Sequence, residues 1–90
     1  MGKPALILSS ELIRAARALL RWEQRDLANA SSVSLPTIKR LESKPGAMAA
    51  HFSTVLALRK AIEAAGIEFV EENGGGPGVR LRKRPPRRPK

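Results

Sequence analysis

The chain has 90 residues and no cysteine, which limits it to one small domain and excludes disulfide frameworks and thiolate metal sites. Seventeen Lys and Arg stand against eight Asp and Glu, for a net charge of +9, and the acids are scattered rather than gathered. With His51 as the only histidine, this leaves no metal cluster or catalytic pair, so neither enzyme activity, cofactor nor bound metal is expected.

In chain order, residues 1–9 read as an N-terminal extension, and its apolar run Ala5 to Leu8 is too short for a signal core or a membrane span. A soluble, cytoplasmic protein with no membrane partner is the expectation. Leu12, Ile13, Ala16, Leu19 and Leu20 then recur at helical spacing, with Glu11, Arg14, Arg17 and Arg21 between them. The pattern predicts a helix over about 10–21, capped by Ser9 or Ser10. A second, short helix over about 24–30 turns Leu27 and Ala28 inward and Gln24, Arg25, Asp26 and Asn29 outward.

After a break at Ser31-Ser32, Ser34 is the expected cap of a third helix, Leu35 to Glu42. Pro36 is tolerated in a first helical turn, where its missing N–H would have no partner anyway, although it biases Leu35 away from helical geometry. The Ser34 hydroxyl must therefore accept from the N–H of Thr37, because Pro36 has none to give. Ile38 and Leu41 face inward, leaving Pro36, Thr37, Lys39 and Arg40 toward solvent or a ligand. Lys44-Pro45-Gly46 ends this helix, and Ala47 to Ala50 form a loose turn. Ser53 is expected to cap a fourth helix with Val55, Leu58, Ile62 and Ala65 on one face, closing at a left-handed Gly66.

Ile67 to Val70 and Val79 to Arg82 predict two strands, joined through the glycine-rich segment 71–78 into a hairpin over 67–82. That segment is not read as a phosphate cradle, since a basic strand rather than a helix follows it. Residues 83–90 hold three prolines and five cations, the composition of an extended, disordered tail. Charge is divided unevenly: residues 1–77 carry ten Lys and Arg against all eight acids, a net of +2, whereas 78–90 carry seven and no acid, a net of +7. Such a segment attracts polyanions, nucleic acid most commonly and anionic membrane less often. Arg80, Arg82, Lys83, Arg84, Arg87, Arg88 and Lys90 form this basic stretch. Two readings of it stay open: an arm that follows a phosphate backbone or enters a minor groove, or a source of non-specific attraction and solubility.

Two helices that cross through a tight turn, locked by apolar contacts and polar on one face of the second, are the requirements of a helix-turn-helix. Gln24 to Leu41 meets them, with Leu27, Ala28, Val33, Ile38 and Leu41 as the lock. The stretch Trp22-Glu23-Gln24-Arg25-Asp26-Leu27-Ala28, followed by Val33-Ser34-Leu35-Pro36-Thr37-Ile38-Lys39-Arg40-Leu41-Glu42, resembles the Cro/repressor-type, or xenobiotic-response-element, family over roughly residues 10–66. The ending from Glu68 to Arg82 looks like that of a subgroup of short bacterial members. The resemblance implies a mainly α, lambda-repressor-like bundle of four or five short helices, here with a C-terminal β-hairpin and a basic tail.

It also implies roles. Gln24 matches a position that touches a DNA phosphate, and Thr37 another backbone-contacting one. Leu35, Pro36 and Arg40 match positions that face base edges, and Lys39 shares their face. Arg17 and Glu42 match a buried ion pair that ties the first helix to the end of the reading helix. Two departures concern the turn: Ser32 stands where the family has glycine, and Glu23 where it has a Ser or Thr cap.

Arg40 can bond guanine O6 and N7 together, or a phosphate, or simply be solvated. Leu35 and Pro36 offer only apolar contact, so direct readout is sparse and DNA shape carries part of any specificity. Lys39, Arg25, Lys44 and Arg21 are candidates for phosphates, against the plain alternative of a solvated face, and Ser34 is a further phosphate candidate. The expected function is a double-stranded DNA-binding transcription regulator, a repressor acting as a homodimer on an inverted repeat, with no effector evident. Its dimer contact would come from the hairpin strands or from the face around Trp22 and Phe52. Two rivals are an antitoxin-like or accessory module whose tail binds a protein or RNA, and a sequence-neutral nucleoid binder.

Overall fold

The computed structural model describes residues 8–71 and 74–82. Most of the expected N-terminal extension, residues 72–73 of the hairpin loop, and the tail cations Lys83, Arg84, Arg87, Arg88 and Lys90 lie outside the described residues. Within them the chain is mainly helical, with four helices and a two-stranded antiparallel hairpin: α1 Ser10–Leu20, α2 Gln24–Ser31, α3 Leu35–Glu42, α4 Phe52–Ala64, β1 Ile67–Val70 and β2 Gly78–Leu81. None of these helices is long and apolar enough to cross a membrane.

Ser9 caps α1, its hydroxyl accepting from the Leu12 N–H at 3.1 Å, and Ile13 and Ala16 form the buried stripe. The helix ends where Arg21 takes a left-handed conformation (φ 60°), which lets the Trp22 N–H donate to the Arg17 carbonyl at 2.8 Å. α2 has no hydroxyl at its N-cap; instead the Asp26 carboxylate reaches back to the Glu23 N–H at 2.8 Å, tying the first turn without a serine. It stops at Ser32, again left-handed (φ 67°), so the serine occupies the conformation that glycine adopts without steric cost. Ser31 clips the turn: its hydroxyl donates to the Leu27 carbonyl at 2.7 Å and accepts from the Val33 N–H at 3.1 Å.

Ser34 caps α3 through the Thr37 N–H at 3.3 Å, the partner left once Pro36 occupies the preceding position. The proline bias on Leu35 is overridden, and Leu35 is the first helical residue. Three more expectations are corrected by the structure. α4 begins at Phe52, not after Ser53, because the His51 carbonyl accepts from the N–H groups of both Thr54 (3.0 Å) and Val55 (3.1 Å) and so starts the ladder. Leu8 and Ser9 are not an extension: Leu8 is only 2% exposed in the core. Ala47 to Ala50 are no loose turn, since the segment entering them is stitched to the start of α1. There Ser9 bridges Ala47, the Met48 N–H donates to the Leu8 carbonyl at 3.0 Å, and the Ser10 N–H donates to the Gly46 carbonyl at 3.0 Å.

Ile13, Ala16, Leu27, Ile38, Leu41, Val55, Leu58, Ile62 and Ile67 join Leu8 in one core, with Val33, Trp22 and Ala28 packed at its edge. Burying one such aliphatic side chain contributes about 1.5–3 kcal/mol, and the buried set draws on all four helices and β1. Gly66 closes α4 at φ 114° and turns the chain into β1. β1 and β2 pair with Ile67 opposite Leu81 and Phe69 opposite Val79. The Arg59 guanidinium sits 4.8 Å over the Phe69 ring, joining the hairpin to α4.

Candidate functional site

The arrangement that sets α3 against the other helices begins with Glu42, which is 5% exposed. A carboxylate so deep requires charged or N–H partners, and it has three. Arg17 donates through Nε to Oε2 at 2.9 Å and through Nη2 to Oε1 at 2.7 Å, and Gln24 Nε2 donates to Oε1 at 3.0 Å. Arg17 is itself fixed by an Nη1 bond to the Trp22 carbonyl at 3.0 Å. Arg17 of α1 and Gln24 of α2 thus converge on one buried carboxylate of α3, with the α1–α2 turn bracing Arg17, and no buried side-chain polar atom among the described residues is left without a partner.

This anchoring leaves the other side of α3 outward. Pro36, Lys39 and Arg40 are exposed, Leu35 and Thr37 half-buried, and Ile38, Leu41 and Glu42 buried. Leu35 and Lys39 line a shallow depression of about 200 Å³ together with Glu23, Gln24 and Arg25 from the start of α2. On the other flank Thr37 and Arg40 line a groove of about 320 Å³ with Ala49, Ala50, His51 and Thr54. Arg40 also borders a third hollow beside Lys44 and Met48. Arg25, Lys39, Arg40 and Lys44 are all exposed, and none is in an ion pair among the described residues. Such cations keep their full attraction for an external anion, with only Glu23 opposing them in the depression.

Three candidate contacts are already engaged inside the domain. Gln24 gives one of its carboxamide N–H groups to Glu42 and keeps the second. Ser34 and Thr37 bond each other, the Ser34 hydroxyl donating to Thr37 Oγ1 at 2.9 Å; the Thr37 hydroxyl retains its own hydrogen for an acceptor. Arg80 and Arg82, the first two cations of the basic stretch, lie in and just after β2, and both are bonded within the domain. Arg80 pairs with Glu68 across the hairpin at 3.2 Å, a hydrogen bond and charge that hold the Glu68 carboxyl below its ordinary range. Arg82 donates through Nη2 to the Glu63 carbonyl at 2.8 Å, at the far end of α4.

Sequence reasoning did not bring His51 and Thr54 to this face, since no periodicity connects the start of α4 with α3. It also missed Glu11, whose carboxylate accepts from the Gly46 N–H at 3.1 Å and so fixes the segment that carries Lys44. Its own backbone N–H, followed by that of Gly46, holds the Glu11 carboxyl below the ordinary glutamate value. Among the described residues no group of three or more His, Cys, Asp or Glu is placed to hold a metal. Compared with protein families and with curated proteins, the chain matches no family model and no curated sequence.

Proposed function

We propose that this protein is a sequence-specific, double-stranded DNA-binding transcription regulator of the Cro/repressor type, in which α2 and α3 form a helix-turn-helix and α3 reads the major groove. One observation carries the reading. α3 is held by its buried side to both α1 and α2, while Pro36, Lys39 and Arg40, flanked by exposed Arg25 and Lys44, face outward without internal acceptors. A rigid helix with an unsatisfied cationic edge is what groove insertion requires.

In this reading Arg40 contacts a base edge, with Lys39, Leu35 and Pro36 beside it. Arg25, Lys44, Thr37, Ser34 and the second N–H of Gln24 meet phosphates. A homodimer sets two copies of α3 about 34–36 Å apart on an inverted repeat and represses by occluding a promoter. The reading involves no catalysis and no cofactor. Selection of bound duplexes from a random pool at two salt concentrations tests it. A palindromic consensus is the expected result; recovery of unrelated sequences with equal affinity would overturn it in favour of sequence-neutral binding.

A further inference from the structure

We infer that the groove between α3 and the start of α4 holds a phosphate of the bound duplex through Thr37, His51 and Thr54, and that the His51 ring takes up a proton as it does so. This rests on the DNA-binding reading above and adds to it a contact that depends on pH.

Position selects the phosphate. A helix with its side chains is about 10–12 Å across and the major groove about 12 Å wide, so a helix seated there fills it from ridge to ridge. Its outermost edge meets bases, while hollows along its flanks meet the phosphate ridges. α3 has such a hollow on each flank. The one at Leu35 and Lys39 adjoins Arg25, already a phosphate candidate. The other, about 320 Å³, lies between Thr37 and Arg40 of α3 and Ala49, Ala50, His51 and Thr54. The start of α4 therefore extends the face of α3 toward the second ridge.

The lining suits an anion. It offers polar hydrogens, and no carboxylate borders it. The Thr37 hydroxyl keeps its hydrogen after accepting from Ser34. The His51 side chain is exposed and makes no capping bond, because α4 starts on the His51 backbone carbonyl instead. Thr54 presents its hydroxyl about one turn further along the same helix. Arg40, at the rim, stays with the base edge.

Charge makes the contact depend on pH. Histidine is the side chain that gains charge as pH falls from about 8 to about 5, and a phosphate against the ring favours the charged form. Among the described residues no anionic group lines the hollow to supply that counter-charge. α3 contributes Arg40, the segment before α4 contributes two alanines, and α4 contributes Thr54. Lys44 borders the adjoining hollow. Arg59, the first charged residue of α4, lies about two turns beyond His51 and is engaged with Glu63 and Phe69. The anion that meets the ring comes from the duplex, so binding and proton uptake are linked.

The test uses the full-length chain and the operator recovered by duplex selection, with affinity measured by fluorescence anisotropy at fixed salt from about pH 8 to about pH 5.5. Wild type should bind at least about fivefold tighter at the acid end, since one proton taken up per protomer allows up to about tenfold per pH unit. Its salt slope should steepen there by about 0.9 per protomer, the value for one added phosphate contact. His51→Gln retains the backbone carbonyl that starts α4 and should bind with one affinity across the range, equal to that of wild type at the alkaline end. His51→Lys, charged throughout, should hold the tighter affinity across the same range. Matching circular dichroism melts establish that both variants fold. A wild-type affinity that does not change with pH, or a response that survives in His51→Gln, would overturn the inference while leaving operator recognition intact. Failure of wild type to prefer any operator would instead refute the regulator reading, and the inference would fall with it.

Discussion

Replacing Glu42 by leucine removes the acceptor on which Arg17 and Gln24 converge. The Arg17 side chain is 17% exposed and that of Glu42 4%, so the orphaned guanidinium keeps a little water and its bond to Trp22. Breaking a fully buried pair from one side costs about 3–5 kcal/mol; the partial exposure of Arg17 puts Glu42→Leu near the lower bound, about 3 kcal/mol. A 90-residue chain has on the order of 5–14 kcal/mol of stability in all, and a loss of about 3 kcal/mol should make the variant melt roughly 12–24 °C below the parent. The assay is a thermodynamic cycle by urea denaturation of the parent, Glu42→Leu, Arg17→Met and the double variant. Two apolar side chains of similar volume can pack where the ion pair was, so the double variant should recover about 2 kcal/mol relative to the sum of the singles. A loss under about 1 kcal/mol for Glu42→Leu, or strict additivity, is the behaviour of an exposed surface pair. Either would refute the claim that this carboxylate fixes the orientation of α3.

Arg40→Ala should relax preference at one base position per half-site, at about 1–3 kcal/mol. Lys44→Ala should weaken all duplexes alike and lower the salt slope by about 1; binding-site selection with each variant distinguishes the two roles. Ser32→Gly relieves a left-handed serine at an exposed position, a strain of about 1–2 kcal/mol offset partly by the entropy of glycine. It should raise the melting temperature by a few degrees, and a lowered one would contradict the strain. The Glu11 carboxyl titrates below its usual 4.5 in the folded chain, so its contribution to stability is complete above that pH and is lost as pH falls through the lower, folded value. Glu11→Gln should remove that part of the acid limb, and NMR titration of the Glu11 carboxyl carbon with a midpoint at or above 4.5 would contradict the contact with Gly46.

The parts of this fold legible in the sequence are those fixed by neighbours along the chain. The Ser34 cap follows from the missing N–H of Pro36, and the inward stripe of α3 follows from spacing alone; in α1 the spacing finds Ile13 and Ala16 but also counts Leu19, which is exposed. Arg17 and Glu42 lie 25 residues apart and carry no local sign of pairing; only the likeness to a known pattern brought them together. The stitching of Leu8 and Ser9 to Ala47 and Met48 uses backbone groups, which every residue has, so no side-chain pattern announces it. The start of α4 is hidden for a related reason: a serine suggests a cap, but the helix begins where a carbonyl finds two N–H partners, and His51 supplies it. At the candidate site the outward residues of α3 were legible because they are what the core leaves over. The internal use of Gln24 was not, because a glutamine at the head of a helix is equally suited to a phosphate outside and a carboxylate inside.

Trp22 is the chain's only tryptophan, and its carbonyl holds Arg17 at the turn between α1 and α2. Intrinsic emission from this protein therefore comes from the junction that aims α3, whereas far-ultraviolet dichroism averages over all four helices. If the junction loosens before the helices melt, the two signals will separate along a denaturation curve. The protein carries its own optical gauge of whether α3 is still aligned.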